Sequence, residues 1–350
     1  MIAAGGTAGH VVPALAVADE LRSRGVAVSF VGGTRAEAEL VPAAGYPLFE
    51  LRVEGLPRSN PAKALRALAR AGLACLAARR MLAEIAPRAV LGAGGYVAGP
   101  VGVAALLAGV PLVLTEADSH IGLTNRLLAR GARRVCLAFP PGASPLTARY
   151  RVTGRPVPPP KAQREPERER LGLSPRDRCV LVFGGSLGAR TINLAALDGL
   201  AGLRVQHVCG RRDHAELARR ALPPGYALID YLDGDGFDRA LAAADLVVAR
   251  AGGSVFEIAA HGLPAILVPY PHATGDHQSA NARWMADAGA AIVVADPELT
   301  APRLRVEVDA LLGDPQRLVA MAAASRALAR PHAAAEVADE LLAAAAGGSR

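Results

Sequence analysis

Four times along this chain of 350 residues a short apolar run ends in a knot of glycines: GGTAGH at 5–10, GAGGY at 92–96, GGSLG at 184–188 and RAGGS at 250–254. Short runs of Val, Leu and Ile read as buried parallel strands, and the amphipathic segments that follow read as crossover helices. A glycine turn between strand and helix lets the backbone approach a ligand closely, and the open N–H groups at the helix start favour a phosphate. A single such turn is weak evidence, because tight turns also take Gly for steric reasons. Four of them at the strand ends of two sheets point to phosphate recognition.

The length suggests two cores rather than one. The first half alternates apolar runs and helical segments: residues 1–4, a helix over 13–24, then a strand over 26–31. The first run is short for a parallel core strand of about five or six residues, as if the start were annotated late or strand residues were missing. A proline-rich stretch and the charged cluster 164–170 then read as a linker leading into a solvated helix. CVLVF at 179–183 restarts the alternation, which continues through residue 312. The pattern predicts an α/β protein of two Rossmann-like doubly wound parallel-sheet domains facing across a cleft, with residues 1–155 and 171–332 joined by a linker at 156–170. A last apolar helix over 333–346, after Pro331, is placed to cross back onto the first domain.

Composition narrows the partners. The net charge is +7, but Lys63 and Lys161 are the only lysines, so the Arg excess reads as a coding preference more than as a functional signal. Aromatic residues make up 4% and no basic run is interleaved with stacking rings, which argues against a nucleic-acid partner. Cys75, Cys136, Cys179 and Cys209 lack metal or disulfide spacing and fit reduced thiols. Glycines stand where a signal peptide would carry its apolar stretch, and no run reaches the ~18 residues of a membrane span.

Two familiar phosphate grips are absent. No glycine loop closes on Gly-Lys followed by Ser or Thr, and the second strand ends in Val31-Gly32-Gly33 with no acidic residue for a ribose, which disfavours a dehydrogenase. GGSLG does match the GxSxG turn of serine hydrolases, with Asp245 and several histidines downstream.

Together the segments GGTAGHVVPALAVA at 5–18, GAGGYVAGP at 92–100, GLTNRLLA at 122–129, VTGRPV at 152–157, VFGGSLGAR at 182–190, EIAAHGLPAILVP at 257–269 and DHQSANA at 276–282 resemble the MurG family of inverting GT-B transferases. The resemblance spans nearly the whole chain. It implies transfer of N-acetylglucosamine from UDP-N-acetylglucosamine to a lipid-linked N-acetylmuramyl-pentapeptide (lipid I to lipid II) in peptidoglycan synthesis, by a peripheral enzyme on the cytoplasmic face of the cell membrane. It implies no cofactor and no metal; an acidic DxD-like cluster is not evident in the sequence.

The resemblance also assigns roles. Gly185, Ser186, Gly253 and Ser254 would lie beside the UDP phosphates, Tyr231 and Leu232 beside uracil, Glu257 on the ribose, and His277 and Gln278 on the sugar, with Asn281 supporting that loop. Thr7, Gly9, Arg155 and Arg250 join this donor set. Gly6, Gly94, Gly95 and Tyr96 would receive the acceptor's pyrophosphate, and His10, Glu116 and Asp118 are the catalytic candidates. Each has a plainer reading: Ser254 and Glu257 form an S-x-x-E capping box, Gln278 and Asn281 a solvated first turn after an Asp276 N-cap, Arg250 a structural ion pair, His10 a capping histidine, and Asp118 the N-cap of a helix beginning near Ile121.

The chain departs from the family pattern at Thr115 and Asp118, where His-Glu-x-Asn is common, and at Leu187, Arg155 and Pro158. Asp118 could itself deprotonate the acceptor, and Arg155 restores a charge. Segment 63–82 places Lys63, Arg66 and Arg70 on one helical face and Leu65, Leu68, Gly72 and Leu76 on another, suited either to an anionic bilayer or to burial. A related transferase with another acceptor, a serine hydrolase and a nucleotide-sugar epimerase remain as alternatives.

Overall fold

The computed structural model describes residues 1–53, 61–140, 147–185 and 188–347, with the backbone alone for 61–71 and 274. Contacts divide the chain into two compact units, Met1–Pro158 with Arg330–Arg350, and Pro159–Ala329.

The first unit runs β1 (Ile2–Ala3), α1 (Ala8–Ser23), β2 (Phe30–Gly32), α2 (Ala36–Ala43), β3 (Leu48–Glu50), α3 (Pro61–Ile85), β4 (Val90–Gly92), α4 (Gly95–Leu107), β5 (Leu112–Glu116), α5 (Leu123–Leu128), β6 (Arg134–Leu137) and β7 (Tyr150–Val152). Its strands are parallel in the order β3-β2-β1-β4-β5-β6-β7. The order reverses beside β1, which makes the ends of β1 and β4 the switch point where such sheets bind ligands. The β1 ladder is extended by Ala4, whose N–H donates to Val31 at 3.1 Å. Helix α1 begins at Ala8, five residues before the expected start, so Pro13 lies inside it. Proline has no N–H to give to the carbonyl four residues back, here that of Gly9. Arg155 donates to that carbonyl instead.

The second unit runs α6 (Arg164–Arg170), β8 (Cys179–Phe183), α7 (Arg190–Gly199), β9 (Arg204–Val208), α8 (Arg211–Leu217), β10 (Tyr226–Ile229), α9 (Gly234–Ala243), β11 (Leu246–Ala249), α10 (Val255–His261), β12 (Ala265–Leu267), α11 (His277–Asp287), β13 (Ala291–Val293), α12 (Ala301–Leu312) and α13 (Pro315–Ala327). Its parallel sheet is ordered β10-β9-β8-β11-β12-β13. Every residue of β8 is buried, as a strand covered on both faces requires.

The boundary between the units, after Pro158, falls inside the stretch read as a linker, whose later residues are anchored to the second unit. The N–H groups of Lys161 and Ala162 donate to Asp238, and Arg168, 7% exposed, donates to Asp245 at 2.9 Å. The last helix, α14 (Ala333–Gly347), belongs to the first unit. Val337, Ala338, Leu341 and Ala344 share a core with Ile2, Leu21 and Val113, while Glu340 pairs with Arg134 at 2.7 Å and Arg151 at 2.8 Å.

Candidate functional site

In the first unit the turns after β1, β4, β5 and β7 lie along the carboxyl edge of one sheet. The two glycine turns touch. A Cβ on Gly95 would stand 1.8 Å from the Gly5 carbonyl, and Gly95 has a φ of +76°, so this position admits only glycine. Thr7 is the N-cap of α1 in an extended conformation, and its hydroxyl makes no capping bond. The first-turn amides of Ala8 and Gly9 have no carbonyl within the helix to bind. Gly6 differs from its expected role: its N–H donates to Glu37 at 2.8 Å and is not turned to a ligand.

His10 lies one turn into α1 with its ring against Gly94, where an added Cβ would be 2.7 Å from Nδ1. Nδ1 is buried without a hydrogen-bond partner among the described residues. Burial first, then Arg155, holds the imidazole below its usual value, and Asp118 opposes them. His10, Asp118 and Arg155 therefore form one electrostatic neighbourhood. Arg155 is 7% exposed and donates to the Gly9 and Ala117 carbonyls, which places this donor-set candidate in the first unit as a clamp between two turns.

Glu116 organises the turn after β5. Oε2 accepts from the Gly122 N–H and the Asn125 amide, both at 2.9 Å, and Oε1 accepts from the Asp118 N–H at 3.3 Å. Helix α5 starts at Leu123 with Gly122 as its N-cap, so Asp118 is not the cap of that helix. Asn125, 7% exposed, also donates to the Thr115 carbonyl at 3.0 Å. No local pattern in GLTNRLLA marks this role, because its partners lie nine and ten residues earlier. Tyr96 opens α4 and donates its hydroxyl to Glu37 at 2.7 Å. Burial and then Glu37 push its phenol up to about 12, so it stays a donor.

In the second unit the turns after β8, β10 and β11 again share one carboxyl edge. The Gly188 N–H donates to the Gly185 carbonyl at 2.9 Å, both glycines have positive φ, and a Cβ on Gly188 would stand 2.1 Å from the Cys209 carbonyl. Ser186 and Leu187 lie outside the described residues. Tyr231, 37% exposed, carries the Arg211 guanidinium 4.4 Å over its ring, and Leu232 beside it is half-buried. Gly253, Ser254 and Glu257 sit at the start of α10, half-buried. Ser254 makes no side-chain capping bond, so the expected capping box does not form there.

Arg250 takes the structural role. It is 9% exposed, donates to the Val268 and Pro269 carbonyls and pairs with Asp296 at 2.5 Å. Asn281 is fully buried, contrary to the solvated-turn reading, and its amide donates to the Ala251 carbonyl at 3.0 Å, tying α11 to the glycine turn. Asp276 precedes α11 in a left-handed conformation without capping it; its carboxylate accepts from Ser279. Gln278 accepts from the Tyr270 N–H at 2.9 Å, and His277 opens the helix.

The hydrolase reading fails on Asp245. This residue precedes β11, at the opposite sheet edge from the glycine turn after the parallel β8, and its carboxylate is held by Arg164, Arg168, Arg178 and the Cys179 N–H. A nucleophile and its triad partner must meet at one edge.

The two halves of the chain match the two domains of a single family. Residues 1–137 match the glycosyltransferase family 28 N-terminal domain, and residues 179–340 match the glycosyltransferase family 28 C-terminal domain. The chain belongs to glycosyltransferase family 28. Within the family it is similar to a UDP-N-acetylglucosamine--N-acetylmuramyl-(pentapeptide) pyrophosphoryl-undecaprenol N-acetylglucosamine transferase of Methylococcus capsulatus, at 45% identity over 97% of this chain and 96% of that one. The transferase of the same name from Moorella thermoacetica is 43% identical over 95% of each chain. The crystal structure of Acinetobacter baumannii MurG superposes with a TM-score of 0.76, at 33% identity over 98% of each chain. Both glycine-turn edges thus belong to a family 28 enzyme with two Rossmann-like sheets.

Proposed function

We propose that this glycosyltransferase moves N-acetylglucosamine from UDP-N-acetylglucosamine to a lipid-linked N-acetylmuramyl-pentapeptide in peptidoglycan synthesis. The observation that carries the reading is the near-full-length likeness to transferases of that name, joined to a glycine-turn edge on each of the two sheets. The turns after β8 and β11 take the donor diphosphate through backbone amides, Tyr231 and Leu232 flank the base, Glu257 takes the ribose, and His277 and Gln278 the sugar. The α1 and α4 starts take the acceptor's pyrophosphate.

The acceptor hydroxyl attacks the anomeric carbon opposite the departing UDP, the C–O bond to UDP breaks, and the hydroxyl proton passes to the His10–Asp118 neighbourhood. Amides aimed at the leaving phosphate stabilise the developing charge. No metal is assigned to this step, so chelation with EDTA is expected to leave the rate unchanged.

A membrane surface supplies the acceptor. Among the described residues no helix is long and apolar enough to cross a membrane. Leu73 and Leu76 of α3, Leu107 of α4, and Leu123 and Leu127 of α5 are 58–69% exposed, a density of bare leucine that suits a bilayer face. Lys63, Leu65, Arg66, Leu68 and Arg70 have side chains outside the described residues, whereas Gly72 and Leu76, expected on the apolar face with Leu65 and Leu68, are exposed.

The deciding experiment follows label from radiolabelled UDP-N-acetylglucosamine with and without the lipid-linked acceptor. Label entering lipid only when acceptor is present supports the assignment; an epimerised donor, or label reaching another acceptor only, overturns it.

A further inference from the structure

Glu37 was not singled out by any motif, yet it is a junction of the first unit. It lies in the first turn of α2 with no exposed surface. Oε2 accepts from the Gly6 N–H at 2.8 Å, and Oε1 accepts from the Gly33 N–H at 2.9 Å and the Tyr96 hydroxyl at 2.7 Å. Those donors come from the turns after β1 and β2 and from the start of α4, so one carboxylate ties three loops at the switch point. The glycines around it leave room for nothing else. A Cβ on Gly33 would stand 2.0 Å from the Tyr96 hydroxyl, and one on Gly32 2.7 Å from the Glu37 Cγ.

A buried carboxylate beside a turn that takes an anion needs a reason, since it repels the ligand. Burial works to raise its pKa, but the hydrogen bonds from Tyr96 and the backbone amides outweigh it and keep the group ionised. Its charge closes the Gly6 amide to a phosphate. The open amides of Ala8 and Gly9, and the Arg155 guanidinium on the Gly9 carbonyl, lie further along α1. We propose that Glu37 is a positioning residue for acceptor binding, fixing the first glycine turn and the Tyr96 ring so that the acceptor's diphosphate is received at the Ala8–Gly9 amides. The proposal rests on the acceptor assignment above.

The test uses the full chain with Glu37→Gln and Tyr96→Phe, alone and together. Glutamine keeps the shape but puts an N–H₂ among three donors, and phenylalanine removes a single donor. Losing a hydrogen bond to a charged group corresponds to about tenfold or more. Glu37→Gln is therefore expected to lower kcat/KM for the lipid-linked acceptor by about tenfold or more, with the UDP-N-acetylglucosamine KM within about twofold. Tyr96→Phe gives a smaller loss of the same kind, and the double variant is no worse than Glu37→Gln. Hydrogen–deuterium exchange in Glu37→Gln is expected to accelerate in peptides covering 4–9 and 33–36 and to stay unchanged over 189–199. Unchanged exchange over 4–9, or equal loss of donor and acceptor kinetics in both variants, overturns the proposal. A wild-type chain that transfers nothing to the lipid overturns the assigned reaction, and exchange then still decides whether Glu37 sets the turn.

Discussion

Arg155 donates to the carbonyl of Gly9, the acceptor that Pro13 leaves without a helical partner. A second bond reaches Ala117 at 3.4 Å, so one side chain ties the turn after β1 to the turn after β5. Replacing it with Ala removes a buried guanidinium, itself 7% exposed, and the donor to two carbonyls. Arg155→Ala is expected to lower stability by about 1–3 kcal/mol in urea unfolding, and Arg155→Lys, which restores one donor, to recover part of it. A midpoint unchanged by Arg155→Ala would show that the clamp contributes nothing.

His10 and Asp118 are separable by pH. Burial and Arg155 hold the His10 imidazolium below its usual 6.5, against Asp118. A histidine base works only when neutral, so kcat/KM is expected to rise with pH through a value below 6.5 and then stay level. Asp118→Asn removes the opposing charge and moves that limb to still lower pH, and His10→Gln abolishes it. If His10→Gln instead keeps the limb while Asp118→Asn lowers kcat by about 10²–10⁴, Asp118 is the base.

The Glu340 carboxylate makes acid stability measurable. Burial tends to raise it, but hydrogen bonds from Arg151 and Arg134 outweigh that and hold it below the usual 4.5. A carboxylate held down contributes stability that is complete above its unfolded value and lost as pH falls through the folded one. Glu340→Gln is expected to cost about 1.5–3 kcal/mol at neutral pH, with the gap to the parent closing under acid. Urea midpoints at the two pH values check this; a gap that persists in acid would assign the loss to packing.

Gly188 and Gly202 form an internal control. Both have positive φ, +75° and +81°, but a Cβ meets the Cys209 carbonyl at 2.1 Å in the first case and nothing within 4 Å in the second. Gly202→Ala is expected to cost about 1 kcal/mol from backbone strain alone. Gly188→Ala is expected to cost clearly more and to raise the donor KM, measured from initial rates at varied UDP-N-acetylglucosamine. Equal effects would mean the turn yields without loss.

The sheets, the glycine turns and the family were legible because each is written locally, in runs of a few residues. What escaped is written across distance. Glu37 meets Gly6 and Tyr96 at separations of 31 and 59 residues, and no periodicity marks such a junction. The resemblance gives Asn281 a supporting role, but nothing local names its partner, because Ala251 lies 30 residues away. The S-x-x-E pattern at 254–257 satisfied a capping rule that the backbone there does not use. The cluster 164–170 forms the expected helix, but its one buried member, Arg168, is held by Asp245 77 residues on, which no local pattern marks.

Helix α14 carries a consequence for how the protein is made. The core around Ile2, Leu21 and Val113 is finished by Val337 and Leu341, near the far end of the chain. A ribosome therefore releases the second unit, Pro159–Ala329, with all its strands and helices in hand before the first can close. During synthesis the part translated first is the part completed last, and until α14 emerges its apolar sheet face is the surface for which a chaperone competes.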